Sequence, residues 1–177
     1  MKLIFVAGIH AVGKTTACQM VSHKMGIPHY SASQIIRDEK STAVSGNSKL
    51  VADIADNQKL LIQGVARRME RGYCLLDGHF TMRRKSDGGI ESVYVDVFRE
   101  LCIRSVVLFT DNPETISKRM HERDGVLHPT EMYQSHQEAE ISHANLVAST
   151  LKIPIIHLHA PDSETILRAF DKLAMQK

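Results

Sequence analysis

An apolar run of strand length, Lys2–Ala7 (KLIFVA), ends at Gly8 and leads into Gly8-Ile9-His10-Ala11-Val12-Gly13-Lys14-Thr15. That octet matches G-x-x-x-x-G-K-[ST] and opens an amphipathic segment, Lys14–Met25. Strand, glycine loop and helix in that order constrain the fold more than any other feature of the chain. A strand rich in branched and aromatic residues, without polar alternation, is buried on both faces and needs a layer on each side of a parallel sheet. The glycines let the backbone turn tightly, so that successive amide N–H groups face inward as an anion nest. The helix starting near Lys14 adds the positive end of its dipole. Gly8, His10, Ala11, Val12, Gly13, Lys14, Thr15 and Thr16 are therefore expected to cradle a triphosphate. Lys14 would reach the β- and γ-phosphates and the Thr15 hydroxyl would bind magnesium. His10 is either a bystander or a mild source of positive charge, and a ligand-free glycine turn is the plain alternative.

The rest of the chain repeats the alternation. Short apolar runs at 73–76, 103–110 and 153–158 read as strands, and a further short strand is expected around 29–31. Helical patterns are expected at 33–40, 49–71, 92–101, 113–123 and 131–150, with a last helix capped by Asp162. Segments 41–48, 85–90 and 124–130 read as loops. The order predicts an α/β fold of three layers, a five-stranded parallel sheet flanked by helices, in one domain over 1–177. Function then belongs beyond the carboxyl ends of the strands. A length of 177 residues and 43% apolar content exclude a disordered or fibrous chain. A net charge of +2 gives no general drive toward nucleic acid or an anionic membrane, and no apolar run is long enough to span a bilayer. Cys18, Cys74 and Cys102 form no CxxC pair and no zinc spacing, so reduced, mostly buried thiols and a cytoplasmic location are expected.

Asp77 follows the strand Tyr73-Cys74-Leu75-Leu76 and would sit beside the phosphate loop as a second magnesium ligand; the alternative is an Asp-Gly turn. Arg119 and Arg123 share a helix face, solvated or aimed at phosphates. Arg67, Arg68 and Arg71 with Glu70 read as an exposed helix end. His157 and His159 face one side of a strand and, lacking a third ligand, are assigned to core or acceptor-side packing rather than metal.

These residues together resemble the P-loop nucleoside monophosphate kinases, most closely archaeal-type adenylate kinases and their ribosome-associated relatives. Ile27-Pro28-His29-Tyr30-Ser31-Ala32-Ser33-Gln34-Ile35-Ile36-Arg37 is similar to the family's I-P-x-x-S-T-G-D-x-[LI]-R, whose arginine holds the acceptor monophosphate. Gly72–Gly78 resembles G-x-x-L-D-G, and Asp77-Gly78-His79-Phe80-Thr81 resembles D-T-H-S-T. The resemblance implies an acceptor part over about 31–72 with Ser31, Ser33, Arg37, His79, Thr81 and Arg83 at the acceptor. It also implies a short lid over about 119–131 whose Arg119 and Arg123 stack on the donor base and clamp its phosphates, with Pro161 near the adenine. Three departures stand out: Ala32-Ser33-Gln34 replaces Thr-Gly-Asp, the arginine after the aspartate strand is displaced to Arg83 or Arg84, and 131–150 contains no arginine.

Phosphoryl transfer to a monophosphate needs no strong base, only magnesium and cations that hold two anions in line. Lys14, Arg37, Asp77, Arg119 and Arg123 are the expected catalytic set, ATP and Mg2+ the expected cofactors, and nucleotides the expected partners. The alternatives are an ATPase or assembly factor bound to RNA or a ribosomal protein, and a kinase for a hydroxyl acceptor assisted by Asp38 or His79.

Overall fold

The computed structural model describes residues 2–44, 54–68, 72–84 and 86–175. The elements are β1 (Lys2–Ala7), α1 (Lys14–Met25), β2 (His29–Ser31), α2 (Ala32–Val44), α3 (Ile54–Arg68), β3 (Tyr73–Asp77), β4 (Thr81–Arg83), β5 (Ile90–Ser92), α4 (Val95–Glu100), β6 (Ile103–Thr110), α5 (Pro113–Asp124), α6 (Thr130–Leu151), β7 (Ile155–His159) and α7 (Ser163–Met175). Five strands make one parallel sheet in the order β2-β3-β1-β6-β7. Connections leave β1 and β6 in opposite directions, which opens a crevice at their carboxyl ends. The register places Ser31 and Val6 opposite Asp77, and Thr110 opposite His159. The last residues of all five strands thus share one rim.

Burial follows the two-sided pattern of β1. Leu3, Phe5 and Ala7 pack into one core with Leu76, Phe80, Val97 and Phe98, and Ile4 and Val6 into the other with Val21, Phe109 and Phe170. The rings of Phe5, Phe80 and Phe98 meet with centroids 4.6–5.2 Å apart, in the tilted and edge-on arrangements aromatic quadrupoles favour.

Several expectations are corrected. The described residues 86–89 of the loop expected at 85–90 belong to the turn of an antiparallel hairpin, β4 with β5, pairing Thr81 with Ser92 and Arg83 with Ile90. Ser92 is therefore strand, and the helix expected from 92 starts at Val95. The helix α2 continues to Val44, into the segment read as a loop; 45–53 lies outside the described residues, as do Leu50 and Met69 of the long helical pattern, and Glu70 and Arg71. Arg67 and Arg68 are not a free helix end. Arg67 Nη1 donates to Glu39 Oε2 at 2.7 Å, Arg68 Nη1 to Glu39 Oε1 at 2.6 Å and Arg68 Nη2 to Asp38 Oδ2 at 3.3 Å. Glu39 is buried, so these contacts supply the compensation its charge needs and clamp α3 onto α2. His157 and His159 are exposed on the edge strand β7, bonded to Asn145 and Thr110, on the sheet edge opposite β2. Cys18 and Cys74 are buried but Cys102 is exposed, and all three are free thiols. No described helix is long and apolar enough to cross a membrane.

Candidate active site

The loop after β1 is shaped by two glycines and one strained alanine. Gly8 has φ 135°, and a Cβ there would lie 2.3 Å from the Phe109 carbonyl oxygen, so only glycine fits beside β6. Gly13 caps α1 at φ 90°, and Ala11 holds φ 64° between them.

Lys14 lies under this loop, nearly buried, with Nζ donating to Gly8 O at 2.6 Å and Ile9 O at 2.9 Å. Desolvation pulls its pKa down to about 8, against the opposing pull of Glu140 and Asp77. Thr15 Oγ1 donates to Asp77 Oδ2 across 3.4 Å, and His29 Nε2 stands 2.7 Å from the same oxygen. The hydroxyl and carboxylate are an oxygen pair of the kind magnesium takes when it also keeps water and phosphate ligands, so the residues present fit that ion.

On the β6 side, Arg119 Nη1 donates to Ala11 O at 3.0 Å and to Asp111 Oδ2 at 2.7 Å. Arg123 is paired with Asp124. Two cavities meet at the loop. One, about 740 Å3, is lined by Gly13, Thr16, Arg119, Arg123, Pro161 and Ile166 among others. The other, about 560 Å3, lies between the loop, α2, α3 and α4, where His10, Ser31, Ser33, Asp77, His79 and Arg123 line it together with apolar Ile36, Leu61, Val97 and Phe98.

The sequence-predicted residues divide accordingly. The loop residues from His10 to Thr16, with Ser31, Ser33, Asp77, His79, Arg119, Arg123 and Pro161, border one cavity or the other; Gly8 lines neither. Arg37 does not: it is exposed and donates to Gln34 at 2.7 Å. Arg83 lies against Gly88 in the hairpin turn. Thr81 is buried, and its hydroxyl is bonded to Glu140 Oε2 at 2.6 Å instead of facing either cavity. Asp38, the candidate base, is bonded to Gln34 and Arg68.

Glu140 escaped the sequence reading. It is buried on α6, and its two oxygens accept from Gly8 N (3.1 Å), Phe80 N (2.9 Å), Thr81 N (2.7 Å) and Thr81 Oγ1. One side chain thereby ties the phosphate loop to the segment after Asp77. Burial raises its pKa, opposed by those hydrogen bonds and by Lys14. The available signal was a carboxylate and an imidazole standing in the buried stripe Tyr133, His136, Glu140, Ala144, Val147 of α6.

Three imidazoles gather near the loop. The rings of His10 and His79 lie 4.5 Å apart. Desolvation, with Lys14 and Arg123 nearby, lowers His10 to about 4. Desolvation and Lys14 hold His79 well below its ordinary value, and desolvation lowers His136. All three are neutral at pH 7, and His79 Nδ1 and His136 Nε2 are buried without a hydrogen-bond partner among the described residues.

A glycine loop over a buried lysine, an aspartate at the adjacent strand end and two cavities sharing the loop define the class: a P-loop α/β domain of the kinase fold. The AAA domain family model matches residues 7–136, and the chain belongs to that family. It is 28% identical over 125 residues to adenylate kinase isoenzyme 1 of Oryctolagus cuniculus, covering 69% of this chain and 64% of that one. Adenylate kinase isoenzyme 5 of Bos taurus is 36% identical over 64 residues, which is 36% of this chain and only 11% of that protein's length. A gluconokinase from Sinorhizobium meliloti 1021 has the same fold, with a TM-score of 0.57 at 14% identity over 98% of this chain and 93% of that one.

Proposed function

We propose that the chain is a magnesium-dependent nucleoside monophosphate kinase that moves the γ-phosphoryl of ATP to AMP or a similar nucleotide. The observation that carries this reading is the junction of two cavities at the phosphate loop, where Ala11, Gly13, Thr16 and Arg123 line both: the larger, bordered by Arg119 and Pro161, suits a nucleotide donor, and the second, bordered by Lys14, Ser31, Ser33 and His79, suits an acceptor. The adenylate kinase relatives support it. The finer likeness, to the archaeal-type enzymes and their ribosome-associated relatives, belongs to the same proposal and rests on Asp77-Gly78-His79-Phe80-Thr81. The free thiols suit a reducing, cytoplasmic setting.

The loop amides would receive the β- and γ-phosphates, and Lys14 would exchange the Gly8 and Ile9 carbonyls for phosphate oxygens. Magnesium, when bound, supplies positive charge to the transferring group from the side of Thr15 and Asp77. Arg123 borders both cavities and is placed to bridge donor and acceptor anions once it leaves Asp124. Arg37 would reach an acceptor phosphate only by turning inward from Gln34.

The test is ADP formation with ATP and each nucleoside monophosphate in turn. Acceptor-stimulated turnover with one of them is expected, and its absence with all of them defeats the reading. A second reading has its own observation. Arg37 faces away from the acceptor cavity while His79 borders it with an unpartnered Nδ1, an arrangement that suits a hydroxyl acceptor needing a proton acceptor more than it suits a phosphate. Transfer to a nucleoside, a sugar or a 5′-hydroxyl oligonucleotide in the same assay would select it. ATP hydrolysis indifferent to AMP but raised by RNA or a protein would select the assembly-factor alternative.

A further inference from the structure

Behind the phosphate loop, three elements bring together ligand types that the phosphate chemistry does not require. Cys18 lies on α1 one turn beyond Lys14 and Thr15, His29 opens β2, and Asp77 closes β3. Cys18 Sγ, the His29 ring nitrogen and an Asp77 carboxylate oxygen all lie within 4.8 Å of one another, the one such group of three among the described residues. Cys18 is fully buried, and the His29 and Asp77 side chains are 13% and 8% exposed. The trio is thus largely screened from water, with Thr15 Oγ1 3.4 Å from Asp77 Oδ2 on the loop side.

We propose that Cys18, His29 and Asp77 form a site for a borderline-soft divalent cation of the zinc class, and that its occupation withdraws Asp77 from the magnesium of the nucleotide. Sulfur, imidazole nitrogen and carboxylate oxygen are the donors zinc takes, at about 2.3 Å for sulfur and about 2.0–2.2 Å for nitrogen and oxygen. Magnesium wants oxygen ligands in a near-ideal octahedron, so a thiolate and an imidazole select against it. An ion at those distances needs its ligand atoms roughly 3.3–3.8 Å apart. The widest separation in the trio therefore closes by about 1 Å and the 2.7 Å contact of His29 Nε2 with Asp77 Oδ2 opens by about 0.6 Å or more, both within reach of side-chain rotation at Cys18 and His29. On coordination the Cys18 thiol proton leaves to solvent, and the imidazole keeps one N–H, on Nδ1, with Nε2 on the ion. Three protein ligands leave a fourth position facing Thr15 and the loop, open to water or to a phosphate oxygen.

The binding half of this proposal stands on the trio's geometry alone. The competition half rests on the magnesium role given to Asp77 above. The test uses the full chain, stripped with a chelator, and zinc alone as the probe. Equilibrium dialysis with metal analysis should find a site that loses at least roughly a hundredfold in affinity in Cys18→Ala and in His29→Gln, since even indirect supports of a metal site cost 10–100-fold. Cys102→Ser, which removes the exposed thiol, should leave it unchanged. Cobalt(II) in place of zinc should show a sulfur-to-cobalt charge-transfer band in the wild type and in Cys102→Ser, absent in Cys18→Ala. Thermal melts of the metal-free variants check folding, and His29→Gln, at a partly exposed position, keeps the test alive if Cys18→Ala does not fold. Zinc binding indifferent to both ligand substitutions, or absent altogether, overturns the site. In a second arm, Mg·ATP should weaken zinc binding at least tenfold when affinity is expressed against free zinc, so that zinc held by ATP itself is not counted; a site that survives the first arm with no such effect overturns the competition. Failure of the kinase reading would show separately, as zinc-free protein without acceptor-stimulated turnover.

Discussion

Removal of the Glu140 carboxylate tests the central claim about how the site is built. Four donors converge on it, three of them backbone N–H groups that have no water to turn to. In Glu140→Ala those amides lose their acceptor, at about 1–3 kcal/mol each. Relief of the carboxylate's own burial, which raises its pKa, offsets part of this. The net expectation is a loss of ~3–5 kcal/mol, the range for breaking a buried charged contact on one side. Glu140→Gln keeps one oxygen for Gly8 and Phe80 but turns an NH2 toward Thr81, opposing donor to donor. It should cost less, ~1.5–3 kcal/mol. Thr81→Val alone should cost ~1 kcal/mol, and combined with Glu140→Gln it should cost less than the sum, with a coupling of about 1 kcal/mol, because it removes one of the opposed donors.

Urea denaturation at pH 7, fitted with a shared m-value, gives all four numbers. The same variants tie stability to function: Gly8 N is the first amide of the loop, so Mg·ATP affinity by calorimetry should fall in the order wild type, Gln, Ala. Glu140→Ala within about 1 kcal/mol of the wild type, or equal to Glu140→Gln, would refute the argument that this carboxylate holds the loop to the segment after Asp77.

Other perturbations read separate parts of the site. Gly8→Ala drives a Cβ into the Phe109 carbonyl at a φ that disfavours any side chain; a loss above ~3 kcal/mol is expected in the same urea titration. Lys14 is held at about 8 by desolvation and must be protonated to meet phosphate, so the apparent Kd for Mg·ATP should be flat near pH 7 and rise up to about tenfold per unit above pH 8; Lys14→Ala should abolish turnover. His10 takes its proton at about 4 in the folded protein, below the ordinary 6.5. The unfolded chain therefore binds that proton first as pH falls, and stability should drop between those values. His10→Asn should flatten that part of a Tm-against-pH curve. Arg123→Ala should lower kcat/KM for the acceptor roughly a hundredfold, as expected when one charge-stabilising donor is removed.

Legibility differs between the parts for physical reasons. The octet Gly8–Thr15 was readable because a backbone nest needs particular residues at contiguous positions, and nothing downstream changes that requirement. Strands β1, β3, β6 and β7 were readable because each carries a mainly apolar run bounded by turn residues, whereas β2, His29-Tyr30-Ser31, carries none. The β4–β5 hairpin was not: three-residue strands with exposed Met82 and Ile90 carry no alternation to detect, and pairing with Phe80 and Glu140 fixes them instead. Glu39 and Glu140 were missed for a shared reason. A buried acid is decided by partners 28 to 132 residues away, and no local window contains them. Arg37 shows the reverse failure. Its motif position was right for an acceptor ligand, but a long exposed side chain is free to pair with Gln34 one turn earlier, and sequence spacing does not say which partner it takes.

The way the loop holds its own cations bears on how it binds. Lys14 is bonded to Gly8 O and Ile9 O, and Arg119 to Ala11 O, so the loop's inward carbonyls already occupy the charges a triphosphate would need. Binding is then an exchange of charge-assisted hydrogen bonds, in which phosphate oxygens replace peptide carbonyls on the same donors. The gain lies in the difference between an anionic and a neutral acceptor for each donor, roughly 1 kcal/mol or more apiece. A loop held in this way is already folded before the ligand arrives, so little ordering entropy opposes binding. The carboxylate of Glu140 completes the balance. It neutralises part of the Lys14 charge from the far side without touching the ammonium, which favours protonation of a lysine that desolvation would otherwise neutralise further. Loss of Glu140 should therefore also move the pH at which Mg·ATP affinity begins to fall downward from about 8, a shift that a purely structural carboxylate would not produce.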